Sequence, residues 1–375
     1  MTSLACLVRL GLFVAVLAAG TACKEQDAPR ATTRPEAVPR TPIESKPPFH
    51  GLAVQTHPNP DPVGTYGPLI REVAGLGADT VLLSANAYQE DVDSMVIRIE
   101  SDGVPTEAQW LELFRIAHGS GLRIVLMPKV LLSDPRDGGW RGKIAPVSWE
   151  AWFDQYREMI LHYARLAQRG RAEVFLVGSE LVSTEKHTEQ WRRIIREVRA
   201  VYTGLLGYSA NWDHYQGIQF WADLDLVGLT TYHNLNRADK PEPTAADLAA
   251  AWAPIRDEIL AWRAEIGRPL LFTEVGWCSQ EGCSIEPWNY YHSEEATPAG
   301  HREQRDNYAA FVKTWAGRPE VGGLLWWEWT GGPGGANDHS YTPRSKPAEQ
   351  VLREFFERFA RQGRMPTGQR GDAES

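Results

Sequence analysis

The sequence predicts a single α/β domain closed as a (β/α)8 TIM barrel, and three observations predict it. Eight apolar runs of strand length recur over residues 49–362. Most are near-continuous rather than alternating, as strands covered on both faces should be. Segments with helical apolar spacing lie between them, and no glycine-rich phosphate loop follows the first run, which sets aside an open doubly wound sheet.

The runs follow one another as "HGLAVQT", "DTVLLSAN", "LRIVLMPK", "EVFLVGSE", "LLGYSANW", "LDLVGLTTY", "PLLFTEVG" and "VGGLLWWEW". Before the third run, Trp110, Leu113, Phe114 and Ala117 share one helix face. Trp191, Ile194, Ile195 and Val198 do the same before the fifth run, and Leu248, Trp252, Ile255 and Ile259 before the seventh. The fifth unit is the thinnest, because "DHYQGIQFWADL" leaves room for only a short helix.

Residues outside the barrel have a different character. Arg9 precedes the apolar run "LGLFVAVLAAG", short for a membrane span but suited to a signal-peptide core. With "GTAC" ending at Cys23, residues 1–23 look like a bacterial lipoprotein signal, and Cys23 is the expected lipidation site. Residues 24–48 hold six prolines and no aromatic residue, which predicts a disordered tether. The polar segment 363–375 is expected to be a disordered tail. The chain is therefore expected to be exported to the cell envelope, held to the membrane only by a lipid anchor, and monomeric. In an oxidising compartment Cys278 and Cys283, close together in one loop, are expected to form a disulfide.

A net charge of −9 over 375 residues, with no basic cluster, excludes a nucleic-acid partner. The nearest histidines, His50 and His57, stand seven apart, so no HxH or HExxH zinc site exists, and no G-x-S-x-G elbow occurs. Neither a metal nor a cofactor is expected.

In such a barrel the active site lies at the C-terminal ends of the strands. Glu180 closes the fourth run and Glu274 falls near the end of the seventh. A lone glutamate at a strand end often just begins a solvated loop, but two on one rim can converge over the mouth. Convergent carboxyl groups flanking one bond are what glycosidic cleavage requires. Asn211, Tyr232 and Lys129 close the fifth, sixth and third runs, and Trp277, Trp326 and Trp327 lie at or beyond run ends. Aromatic faces edged by polar groups suit a sugar ring, so a polysaccharide or oligosaccharide is the expected partner. Trp288, Tyr290 and Tyr291 add to this set, whereas Trp110, Trp191, Trp252 and Trp262 read as packing between helices and barrel.

"FLVGSE" at 175–180, "TTYHN" at 230–234, "LLFTEVGW" at 270–277 and "GGLLWWEW" at 322–329 resemble the strand ends of glycoside hydrolase family 113. The resemblance implies a retaining, endo-acting β-glycosidase without cofactor, acting on β-1,4-mannan. It makes Glu180 the acid/base, Glu274 the nucleophile and Tyr232 the residue that holds the nucleophile. Ser179 stands where most of the wider clan has the asparagine that contacts the sugar 2-hydroxyl, which leaves the preferred sugar open. A β-glucanase of the same clan is the nearest alternative. A non-catalytic surface carbohydrate-binding lipoprotein is the alternative of another class, disfavoured because both carboxylates are present.

Overall fold

The computed structural model describes residues 42–99, 103–237 and 242–364, with side chains described to residue 360. Eight parallel strands close in sequence order: β1 (Phe49–Gln55), β2 (Thr80–Gln89), β3 (Arg123–Leu132), β4 (Val174–Ser179), β5 (Leu205–Ala210), β6 (Leu226–Thr230), β7 (Leu270–Val275) and β8 (Val321–Trp326). The last strand pairs back on the first, from Phe49 opposite Gly323 to Leu52 opposite Trp326. The chain is thus the (β/α)8 barrel its apolar runs predict.

Helices α1 (Pro62–Gly75), α2 (Glu107–Gly119), α3 (Trp149–Gly170), α4 (Thr188–Val201), α5 (Ala245–Ile266), α6 (Pro298–Trp315) and α7 (Pro347–Arg364) surround it. Their starts are written in the sequence. The hydroxyl of Thr106 accepts from the Gln109 amide at the head of α2 and that of Thr244 from the Asp247 amide at the head of α5, each reciprocated as a capping box. After β5 two short 3₁₀ turns, Tyr215–Gly217 and Trp221–Asp223, replace the helix. Phe220 from this stretch packs on Trp191 of α4 and Trp221 on Tyr208 of β5, which helps to cover that flank.

Two cores follow from strand geometry. Phe49, Ala53, Leu82, Val125, Met127, Val174, Leu176, Leu226, Leu271 and Leu325 fill the barrel interior, and a larger shell packs between strands and helices. The alternation is broken near the mouth. Pairing shifts register between Leu176 and Ser179 on β4, between Leu229 and Thr230 on β6, and between Phe272 and Val275 on β7. Such irregularities re-aim the side chains that follow.

Just before β1, the Arg123 guanidinium donates to the carbonyls of Lys46 (2.8 Å) and Pro48 (2.7 Å), and Ile43 is buried. The end of the proline-rich segment thus lies against the domain. The expected signal peptide with Cys23, the expected tether up to residue 41 and the expected tail from residue 365 on lie outside the described residues, while residues 363 and 364 belong to the last helix.

Candidate active site

Glu274 lies on β7 with its side chain almost wholly out of water (3% exposed). Both of its carboxylate oxygens have donors: Lys129 Nζ to Oε1 at 2.7 Å and the Tyr232 hydroxyl to Oε2 at 2.8 Å. The Thr231 N–H and hydroxyl both donate to its backbone carbonyl at 3.0 Å, locking the strand end. Burial pushes the Glu274 carboxyl up, but Lys129, Arg141 and the Tyr232 hydrogen bond together hold it below the usual carboxylate range. Burial pulls Lys129 below an ordinary lysine, and the Glu274 charge opposes that pull. Glu274 is held as an anion.

Glu180 follows β4 and is also buried. Its carboxylate pairs with the Arg141 guanidinium, whose Nε donates to the Ser179 carbonyl at 3.2 Å. Thr230 adds a side-chain hydrogen bond. Here burial dominates: with the Glu274 charge it outweighs Arg141 and Lys129 and raises Glu180 above an ordinary glutamate. Two carboxyl groups at one barrel mouth are thus driven toward opposite protonation states, the mark of an acid–base pair.

The remaining predicted residues divide. Trp327 turns into the barrel, and Lys129 Nζ sits 3.8 Å from its ring centroid. Gly276 makes room for this, because a Cβ there would lie 2.2 Å from the Trp327 carbonyl oxygen. Ser179 is buried, and its hydroxyl has no partner within the protein. The Asn211 amide donates to Asp213 at 2.7 Å in its own loop rather than to either glutamate.

Three expectations need correction. Trp277 is fully buried against Tyr308 and Phe311, behind the barrel wall, and cannot reach a ligand in the mouth. Trp326 is likewise fully buried, stacked on Tyr308 at 4.6 Å and edge-on to Phe355 under α6 and α7. Both are core residues. Cys278 and Cys283 are free, buried thiols, not a disulfide. Glu303 on α6 accepts from the Gly282 and Ser284 amides (2.7 and 2.9 Å), drawing this turn onto the helix. Asn307 Nδ2 then reaches Cys283 Sγ (3.6 Å), while Cys278 shares a hydrogen bond with Tyr341. Burial pushes the Cys278 thiol up to about 12.

Sequence reasoning missed Arg141 and Tyr341. Arg141 sits in the polar β3–α3 loop, where nothing local marks one arginine from its neighbours. Tyr341 lies beyond β8, with its ring 6.2 Å from Tyr232 and 6.3 Å from Tyr290. Tyr290 and Tyr291 lie outermost, 49% and 76% exposed. Aromatic rings thus run from beside the Glu274 carboxylate to the surface. Glu328, beyond Trp327, is pushed up to about 7 by burial, with Lys129 opposing and Glu274 reinforcing. Among the described residues no cluster of three or more His, Cys, Asp or Glu could hold a metal ion.

The sequence profile of Glycoside Hydrolase Family 113 matches residues 68–342. No curated protein sequence shows significant similarity to the chain. Among solved structures, the family 113 β-mannanase AaManA of Alicyclobacillus acidocaldarius is 27% identical with a TM-score of 0.73, over 85% of this chain and 99% of that one. A family 113 β-1,4-mannanase is 25% identical with a TM-score of 0.70, over 82% of this chain and 98% of that one. The endo-β-1,4-mannanase of Thermotoga petrophila is 11% identical with a TM-score of 0.53, over 84% and 77%, and shares the fold alone.

Proposed function

Because the chain belongs to glycoside hydrolase family 113 and is a glycoside hydrolase, we propose that it is a retaining, endo-acting enzyme on a β-linked hexose polysaccharide, with β-1,4-mannan as substrate. The observation that carries this reading is the opposed electrostatics of Glu180 and Glu274 at the ends of β4 and β7. The substrate rests on the two family 113 β-mannanases it resembles.

In the first step the Glu274 carboxylate attacks the anomeric carbon while Glu180 gives its proton to the departing glycosidic oxygen. Lys129 and Tyr232 hold the nucleophile by both oxygens, which limits its rotation and favours its release as a carboxylate in the second step. Once Glu274 carries the sugar, its charge is gone. The Glu274 anion had helped to raise Glu180, so Glu180 becomes more acidic while Arg141 stays beside it. It can then accept a proton from the water that attacks the anomeric carbon from the vacated face. Trp327 offers an aromatic wall to the bound ring.

A panel of β-mannans and β-glucans, scored by reducing-end release, tests the class of polymer; release from β-glucan alone would favour the glucanase. Proton NMR in the first minutes of hydrolysis should show the β-anomer, and an initial α-anomer would overturn Glu274 as nucleophile. Glu274→Ala and Glu180→Ala should each abolish most turnover of the polymer. The apolar run before Cys23 supports an envelope location, and Cys23→Ser should move the protein from the membrane to the soluble fraction.

A further inference from the structure

Glu180 has a backbone φ of +52°, in the left-handed region that a residue with a Cβ avoids. Such a conformation is strained and persists only where neighbours over-determine it. Two consecutive hydrogen bonds to β5 do so here. The Glu180 N–H donates to the Ser209 carbonyl at 2.8 Å, and the Leu181 N–H donates to the Tyr208 hydroxyl at 3.0 Å.

Tyr208 is held in turn. Its hydroxyl donates to Glu185 Oε1 at 2.7 Å. Its ring passes beneath Gly178, where a Cβ would lie 2.8 Å from Tyr208 Cε2. Glu185 is brought back under Glu180 by the 3₁₀ turn Val182–Thr184, closed by Thr184 N–H to the Leu181 carbonyl at 2.9 Å. The charged groups acting on Glu185 are Glu180 and Asp213, and burial, the largest influence, pushes it up to about 8. At neutral pH it is therefore a neutral acid that accepts from Tyr208 and adds no second anion beside Glu180. A buried carboxyl is expensive to desolvate, and an apolar side chain would pack this space at no such cost.

We propose that Tyr208 and Glu185 are positioning residues that hold the left-handed Glu180–Leu181 peptide and so aim the Glu180 carboxyl at the leaving-group oxygen. This rests on the reading of Glu180 as the acid/base. Without the Tyr208 hydroxyl the buried Leu181 N–H loses its acceptor, the peptide relaxes, and the carboxyl shifts. A displacement of about 1 Å is worth roughly a hundredfold in rate.

The test compares the best-cleaved oligosaccharide, whose leaving group needs a proton, with the matching 2,4-dinitrophenyl glycoside, which does not. Tyr208→Phe keeps the ring that packs on Trp191 and Phe220, and Glu185→Leu keeps an apolar filling. Both should lower kcat/KM on the oligosaccharide by roughly ten- to a hundredfold and leave kcat/KM on the dinitrophenyl glycoside, which reports the first step alone, within about threefold. Glu185→Gln keeps an acceptor for Tyr208 and should restore most of the oligosaccharide rate. Equal losses on both substrates, or no loss on either, would overturn the positioning role. Glu180→Gln on the same pair separates the two failures. A leaving-group split in Glu180→Gln with none in the other variants overturns positioning alone, whereas no split in Glu180→Gln overturns the acid assignment and this role with it.

Discussion

Replacing Lys129 by methionine tests whether a buried charge pair, rather than packing, sets the protonation state of Glu274. Lys129 and Glu274 side chains are 2% and 3% exposed and meet at 2.7 Å. Methionine fills much of the same volume, so little cavity energy enters. What disappears is the main charge partner of a buried carboxylate, and breaking such a pair from one side costs about 3–5 kcal/mol. Removing both charges leaves neither unpaired, so Lys129→Met/Glu274→Gln should be more stable than either single variant. Urea unfolding at pH 7, followed by tryptophan fluorescence at unchanged m-value, measures all four corners of the cycle. The pH dependence has a definite sign. Glu274 is held below the ordinary value of 4.5, so the pair's contribution is fully present above that pH and is lost as pH falls through the folded value. The gap between wild type and Lys129→Met should therefore close in acid. A single-variant loss under about 1 kcal/mol, in the range of an exposed pair, would refute the reasoning. So would a double variant that loses the sum of the two singles.

The two adjacent tryptophans at the end of β8 and just beyond it should behave differently: Trp326→Ala should lose about 3–5 kcal/mol of stability with kcat/KM of the folded enzyme little changed. Trp327→Ala should instead depress kcat/KM, and equal kinetic effects would contradict their opposite facing. Tyr290→Ala with Tyr291→Ala should weaken cleavage of long oligosaccharides and spare short ones, read from kcat/KM against chain length. An equal loss at every length would remove these residues from the binding track. Glu328 is raised to about 7, so wild type loses stability relative to Glu328→Gln as pH climbs from the ordinary 4.5 through 7. Urea midpoints at pH 5 and pH 8 should diverge in favour of the variant at pH 8, and parallel midpoints would contradict the raised value.

The architecture was legible because a barrel strand is buried on both faces and reads as an unbroken apolar run wherever it occurs. The same logic exposed Glu180 and Glu274, since a carboxylate ending such a run has no packing reason to be there. Tyr232 and Lys129, at the ends of neighbouring runs, do meet Glu274. Facing was not legible. Adjacent residues of a strand point to opposite sides, so "WW" at 326–327 must split between core and mouth, but which is which depends on register. Register shifts near the mouth on β4, β6 and β7, and that decided the aim of the residues beyond. Trp277, three residues past Glu274, fell to the outer core. Arg141 had no local mark at all, because its partner Glu180 lies 39 residues away and only the packing of the β3–α3 loop over the end of β4 brings them together. The cysteines mislead for the same reason: only four residues between them permit a bridge, but Glu303 on α6 and Tyr341 beyond β8 draw the thiols to other partners. Local sequence carries burial and periodicity, which are properties of one strand or helix. Pairing across the barrel mouth is a property of the closed ring, and only the tertiary structure sets it.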